Sequence, residues 1–181
     1  YLIVLSNSTV LILYNSLRLV MNGSRQFINN LTISFQNQIT IDYAKNKLLN
    51  ILNKFKILTK YNFLSSTLFV LILILLLEEP FLIWTRNSVD WNFNFFLFFL
   101  LANYIEWLSI PILTIPYSLN KAEILNKIYL STLVFYFIIL ISIFKFQNLF
   151  AVPISLLIVN LYCFIHSYIK VNKILLLNKS I

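Results

Sequence analysis

Four apolar stretches between residues 63 and 170 dominate the pattern along the chain, at about Leu64–Trp84, Phe93–Tyr117, Ile128–Phe146 and Leu149–Ile169. Each is close to the ~20 residues that carry an α-helix across a ~30 Å hydrocarbon layer. The links between them are short: Thr85–Asn92, Ser118–Lys127 and a tight turn at Gln147-Asn148. Short links force successive helices to lie antiparallel as neighbours. The expected fold is therefore all-α, a polytopic membrane protein with four transmembrane helices paired as two hairpins.

The pattern upstream is less regular. Residues 1–17 are apolar but carry Ser, Asn and Thr, and the run ends at Arg18. Membrane contact is expected there, with spanning left open as a fifth crossing. Between Phe27 and Tyr43 the apolar residues Phe27, Leu31, Ile33, Phe35, Ile39, Ile41 and Tyr43 tend to alternate. That period predicts a strand or short hairpin turning at Gln36-Asn37-Gln38. Over residues 41–61 the spacing changes to threes and fours, through Ile41, Ala44, Leu48, Ile51, Phe55 and Leu58. Lys45, Lys47, Lys54, Lys56 and Lys60 fall mostly off that stripe, which predicts a basic amphipathic helix, either on the bilayer with its lysines near anionic headgroups such as those of cardiolipin or packed on a partner subunit. The chain divides accordingly into an N-terminal apolar and basic region (1–62), a four-helix membrane domain (63–170) and a C-terminal tail (171–181).

Charge orients the spans. One side collects Arg18, Arg25, Lys45, Lys47, Lys54, Lys56, Lys60, Lys121, Lys127, Lys170, Lys173 and Lys179; the other has only Arg86 and Lys145. Twelve against two is a strong positive-inside signal. The poorer side carries Glu78, Glu79 and Asp90, with Trp84 and Trp91 as aromatic anchors. The net charge of +8 is thereby explained as a topology device rather than a nucleic-acid patch.

Composition narrows the classes further. Only 11% of the residues are charged, against about 25% in soluble domains. One glycine, against 17 Phe and 10 Tyr, together with an excess of Lys over Arg, points to a very AT-rich genome. A single glycine excludes a P-loop and a dinucleotide-binding fingerprint. One Cys and one His exclude an iron–sulfur cluster or a bis-His haem held within the chain. No catalytic set, cofactor site or metal site is expected.

Glu106 is the sharpest chemical candidate, because a carboxylate near the middle of the second span is costly unless it faces protein or water. Asn103, Glu106 and Ser109 form a polar stripe on one helical face. Pro111 lacks an N–H, so the carbonyl of Trp107 loses its helical partner. A proton relay is one reading; a buried packing contact is the more conservative one. Glu78 and Glu79 read more simply as a solvated helix terminus than as a paired acid site, and Arg86 is placed to reach either. His166 shares a face with Asn160 and Cys163 and reads as a hydrogen-bonded interfacial group, since a structural zinc site needs four ligands.

Ser16-Leu17-Arg18-Leu19-x-x-Asn22 resembles the essential-arginine motif of ATP synthase subunit a, but four spans follow it, so that assignment is rejected. The stretches FNFFLFFLLANYIEW (93–107) and STLVFYFIILISIFKFQNLF (131–150) resemble the divergent short membrane proteins encoded in ciliate mitochondrial DNA. That resemblance implies a non-redox subunit of an inner-membrane respiratory complex, complex I ahead of complex IV or ATP synthase. Its partners would be other membrane subunits, and its basic side would face the matrix. The rival expectation is a stand-alone transporter or channel.

Overall fold

The computed structural model describes residues 8–87, 90–144 and 150–177. Six helices account for nearly all of them: α1 (Ser8–Ala44), α2 (Leu48–Leu76), α3 (Glu78–Trp84), α4 (Phe93–Ser118), α5 (Ala122–Phe144) and α6 (Ala151–Leu177). Four of these, α2, α4, α5 and α6, are long and apolar enough to cross a membrane. The all-α polytopic expectation holds.

The upstream region departs most from its sequence pattern. The expected strand or hairpin over residues 27–43 is instead the second half of α1, a continuous helix of 37 residues, about 55 Å long at 1.5 Å per residue. Its buried positions are Leu13, Ser16, Leu17, Met21, Ser24, Ile28, Thr32, Ile39 and Asp42, mostly three or four residues apart. The residues behind the alternation largely point outward: Phe27, Leu31, Ile33 and Ile41 are each more than 40% exposed. In a layer where lipid also accepts apolar side chains, hydrophobicity no longer marks the inner face, and the small polar residues do. Ser24 and Thr32 are buried and donate back to carbonyls of their own helix, at 3.3 Å to Val20 and 2.7 Å to Asn29, which satisfies the hydroxyls without a partner helix.

The helix expected across residues 41–61 is broken by a turn at Lys45–Lys47, and its remainder is the first half of α2. The amphipathic segment and the first span are thus one 29-residue helix. That helix stops at Leu76 because Pro80 has no N–H to offer the Leu76 carbonyl and its ring clashes there. The chain bends at Leu77 and restarts as α3, with Glu78 and Glu79 in a first turn where the helix dipole favours acids. At the other end of the chain, α6 runs through the expected tail as far as Leu177 and buries Val171 and Ile174. Residues 1–7 of the N-terminal apolar segment, Lys145, the Gln147-Asn148 turn and Lys179 lie outside the described residues.

Three helix ends close in the same way. The N–H of Lys47 reaches the Asp42 carbonyl, that of Asn87 the Leu82 carbonyl, and that of Lys121 the Pro116 carbonyl, all at 2.9–3.0 Å. This is the Schellman closure, which needs a left-handed residue one position earlier and commonly uses glycine. Here Asn46 (φ 53°), Arg86 (φ 52°) and Asn120 (φ 52°) occupy it. Asparagine tolerates this region; arginine pays the full steric penalty of about 1–2 kcal/mol. Arg86→Gly is accordingly expected to stabilise by about 0.5–1 kcal/mol after the entropy cost of glycine. Asn46→Gly should stay within about 0.5 kcal/mol of the parent. Reversible unfolding in mixed micelles separates the two.

Side-chain contacts set the directions of the helices. Tyr14 packs edge-on to Phe99 and Arg25 meets Glu106, so α1 runs parallel to α4. Phe27 meets Phe69 while Asp42 meets Lys54, and Asn62 meets Trp107 while Thr67 meets Tyr104, so α2 runs antiparallel to both α1 and α4. Phe150 packs on Phe95 and Asn160 on Ala102, making α6 parallel to α4. Helix α4 is the central element: α1, α2, α5 and α6 all pack on it, α6 most extensively. Two apolar clusters result. One joins Leu13, Leu17 and Met21 to Leu73, Phe81, Phe95, Phe96, Phe99 and Leu100; the other joins Ile39 and Ile51 to Ile112, Ile115, Leu119, Val171 and Ile174. Trp91 folds onto Phe81 and Phe96 beside the first cluster, while Trp84 points outward.

This arrangement corrects part of the charge partition. Arg18 and Arg25 do not lie in a basic loop beyond the spans. Both lie on α1, alongside the central stretch of α4. Among the described lysines, six keep to the expected end: Lys45 and Lys47 at the α1–α2 turn, Lys121 and Lys127 around the α4–α5 turn, and Lys170 and Lys173 in the last turns of α6; Lys54, Lys56 and Lys60 lie along the first half of α2, Lys60 two residues before Asn62.

Candidate functional site

Between the two apolar clusters lies a layer of polar contacts, built around α4. Its centre is the ion pair between Arg25 Nη1 and Glu106 Oε1, 2.9 Å apart, with the side chains 49% and 30% exposed. Glu106 sits mid-way along α4, and α1 brings Arg25 to it because the two helices run in step from Tyr14–Phe99 onward. An isolated charge at a span centre costs about 2.5–3.5 kcal/mol on insertion scales. A guanidinium–carboxylate contact presents the layer with a neutral unit instead.

One turn along, the Trp107 carbonyl freed by Pro111 has found a donor: Asn62 Nδ2 reaches it at 3.0 Å from α2. Asn62 is buried, at 4% exposure, and its Oδ1 has no partner among the described residues. Nearby, Thr67 Oγ1 and the Tyr104 hydroxyl are 3.1 Å apart, again joining α2 to α4. On the opposite side of α4, Asn160 Nδ2 donates to the Ala102 carbonyl at 2.9 Å. Three helices are therefore tied to α4 by polar side chains within the stretch from Ala102 to Trp107. A cleft of ≈ 330 Å³ between α1 and α2, lined by Thr32, Ser34, Ser65 and Asn62 among others, opens beside this layer.

The polar stripe expected on α4 does not form a chain. Asn103 Nδ2 donates to the Phe99 carbonyl at 2.7 Å, and Ser109 Oγ to the Glu106 carbonyl at 2.7 Å. Both donate to their own helix rather than to the Glu106 carboxylate. Glu78 and Glu79 are exposed at the start of α3, and Arg86 pairs with neither among the described residues. His166 Nδ1 lies 3.2 Å from the Tyr162 hydroxyl, one turn back on α6, and its buried Nε2 has no partner among the described residues. Cys163 faces Ser167, at 3.9 Å, so Asn160, Cys163 and His166 each engage a different neighbour.

The lysines divide as well. Lys45, Lys47, Lys56 and Lys60 are exposed, but Lys54 turns inward to Asp42 Oδ2 at 2.7 Å, locking the α1–α2 hairpin beside its turn. Arg25, Asn62 and Asp42 are the residues the sequence reading did not single out for the site. For Asn62 a signal existed: an orphaned carbonyl at Trp107 demands a donor, and buried amides at the edge of an apolar run are rare suppliers. No protein family, curated protein or solved structure matches the chain.

Proposed function

We propose that this chain is a non-redox packing subunit of a larger membrane assembly, a respiratory complex of the mitochondrial inner membrane, with complex I favoured over complex IV and ATP synthase. The observation that carries the packing role is the Arg25–Glu106 pair. It ties two helices at a depth where a carboxylate would otherwise call for a proton path or a cation. The composition and the resemblance noted above support the respiratory setting. The exposed lysines Lys45 and Lys47 at the α1–α2 turn suit anionic headgroups such as those of cardiolipin on the matrix side, and Lys56 and Lys60, farther along α2, reach them on extended stems.

Two measurements test this reading. The chain should comigrate with a large complex on a native gel, and the purified chain alone in liposomes should move no solute. Solute movement by the isolated chain would instead identify a transporter or channel. Within the assembly, Glu106→Gln should reduce the amount of chain incorporated, while complexes that do form pump protons at the parental rate per electron. Full incorporation with lost pumping would make Glu106 a proton carrier rather than a tie.

A further inference from the structure

Helix α1 carries a second polar stripe, on the face turned away from the bundle. Asn15, Arg18, Asn22 and Gln26 follow one another at steps of three and four and are all exposed. They lie across the helix from the buried stripe of Leu13, Leu17, Met21, Ser24 and Ile28. Their depth is fixed by neighbours on the inner face. Tyr14 lies against Phe99 and Arg25 against Glu106, so Arg18 sits between those levels, alongside the central part of α4. Facing lipid there, the amides would have no hydrogen-bonding partner. Lysine and arginine can extend a charged tip toward the headgroups on a long stem, but Asn15, Asn22 and Gln26 cannot. Arg25, half-exposed and held by Glu106, borders the same face.

We propose that this face of α1 is a docking surface for a transmembrane helix of another protein, one that places an aspartate or glutamate opposite Arg18 and hydrogen-bonding side chains opposite the amides. The charge of the stripe selects the occupant. The α1 sequence from residue 15 to residue 30 contains arginines at 18 and 25 and no acid. The only acid on α1, Asp42, is taken by Lys54. A second copy of this chain docked through the same face would therefore bring Arg18 against Arg18 without a counter-charge. A partner helix with one carboxylate neutralises Arg18, just as Glu106 neutralises Arg25. The inference rests on the subunit reading above and adds to it which face is occupied and by what chemistry.

The test places a photo-crosslinking amino acid at Asn22, and at Leu133 on the outer face of α5 as a control, with the chain in its native membranes. The expected result is a protein adduct from Asn22, mapped to a peptide with a carboxylate inside an apolar stretch. Arg18→Glu should reduce that adduct about tenfold or more, through like-charge repulsion. Changing the partner's acid to lysine in the same cells should restore it. Changing the partner's acid to its amide alone leaves this chain untouched, so a loss of adduct there cannot arise from misfolding of Arg18 variants. Lipid adducts alone at Asn22, a self-adduct, a partner peptide without an acid, or an adduct indifferent to both charge changes would each overturn the proposal. A native gel run on the same membranes separates the two readings. A chain within a large complex but without an acidic neighbour at α1 loses only this inference. A chain migrating alone without any adduct loses both.

Discussion

Arg25→Leu is expected to destabilise the bundle by about 3 kcal/mol, and the double variant Arg25→Leu/Glu106→Gln to recover most of that loss. The pair is 2.9 Å apart and partly exposed, 49% on Arg25 and 30% on Glu106. In water such exposure would reduce its worth to about 0–1 kcal/mol. Mid-way along α4 the exposed side looks onto lipid or a partner helix, where water does not screen the charge. The effect therefore belongs nearer the cost of breaking a buried pair, about 3–5 kcal/mol. Glu106→Gln leaves the guanidinium alone, and this group cannot neutralise; it can only bend its stem toward the headgroups, which its exposure permits. Reversible unfolding of the four proteins in mixed micelles gives the coupling energy, expected at about 2 kcal/mol. Additive single-variant effects would show that the contact contributes nothing.

The spans and the need of Glu106 for a partner were legible because they depend on local quantities. Span length follows from an apolar run, and the cost of a carboxylate follows from its distance to the ends of that run. The break before α3 was not anticipated: it interrupts the expected Leu64–Trp84 span, where the apolar run outweighed Pro80. The structure of α1 was hidden for a different reason. Its inward face carries Ser24 and Thr32 and its outward face Phe27, Leu31 and Ile33, so counting apolar residues followed the wrong side. The same inversion concealed Asn62 and Ser66, buried at 4% and 0% on α2. In water the hydrophobic effect sorts residues by face; in lipid the sorting falls to packing and hydrogen bonding, which favour small and polar residues at helix contacts. Arg25 was misplaced because basic residues were counted as loop markers, whereas one that has a carboxylate 81 positions away (106 − 25) can lie within the layer. With one glycine in the chain, Ser, Ala and Asn take its usual places, with Asn46 and Asn120 in left-handed caps and Ser66, Ala102 and Ser167 fully buried between helices.

Asn62→Leu is expected to cost about 1–3 kcal/mol, and nearly all of that cost should vanish when Pro111 is also replaced by alanine. Asn62 Nδ2 lies 3.0 Å from the Trp107 carbonyl across 45 residues of sequence. An ordinary interhelical hydrogen bond in a membrane is worth only about 0.6 kcal/mol on average, because the separated helices find other partners. This acceptor is unusual: Pro111 has removed its helical donor, so without Asn62 a buried carbonyl stays bare, at the full desolvation cost of about 1–3 kcal/mol. Pro111→Ala returns an N–H to position 111 and lets the Trp107 carbonyl re-enter the helical ladder. In that background the Asn62 amide is redundant, and its own unpartnered Oδ1 becomes a liability that leucine removes. The cycle therefore predicts a change of sign. Asn62→Leu destabilises the parent and is neutral or slightly stabilising beside Pro111→Ala, whereas equal costs in both backgrounds would mean that Asn62 acts through packing alone. Unfolding midpoints of the four proteins decide between these outcomes. The second would also detach Pro111 from any role in placing α2 against α4. The first would make the proline and the asparagine a single device, in which a broken helical bond on one span sets the position of another.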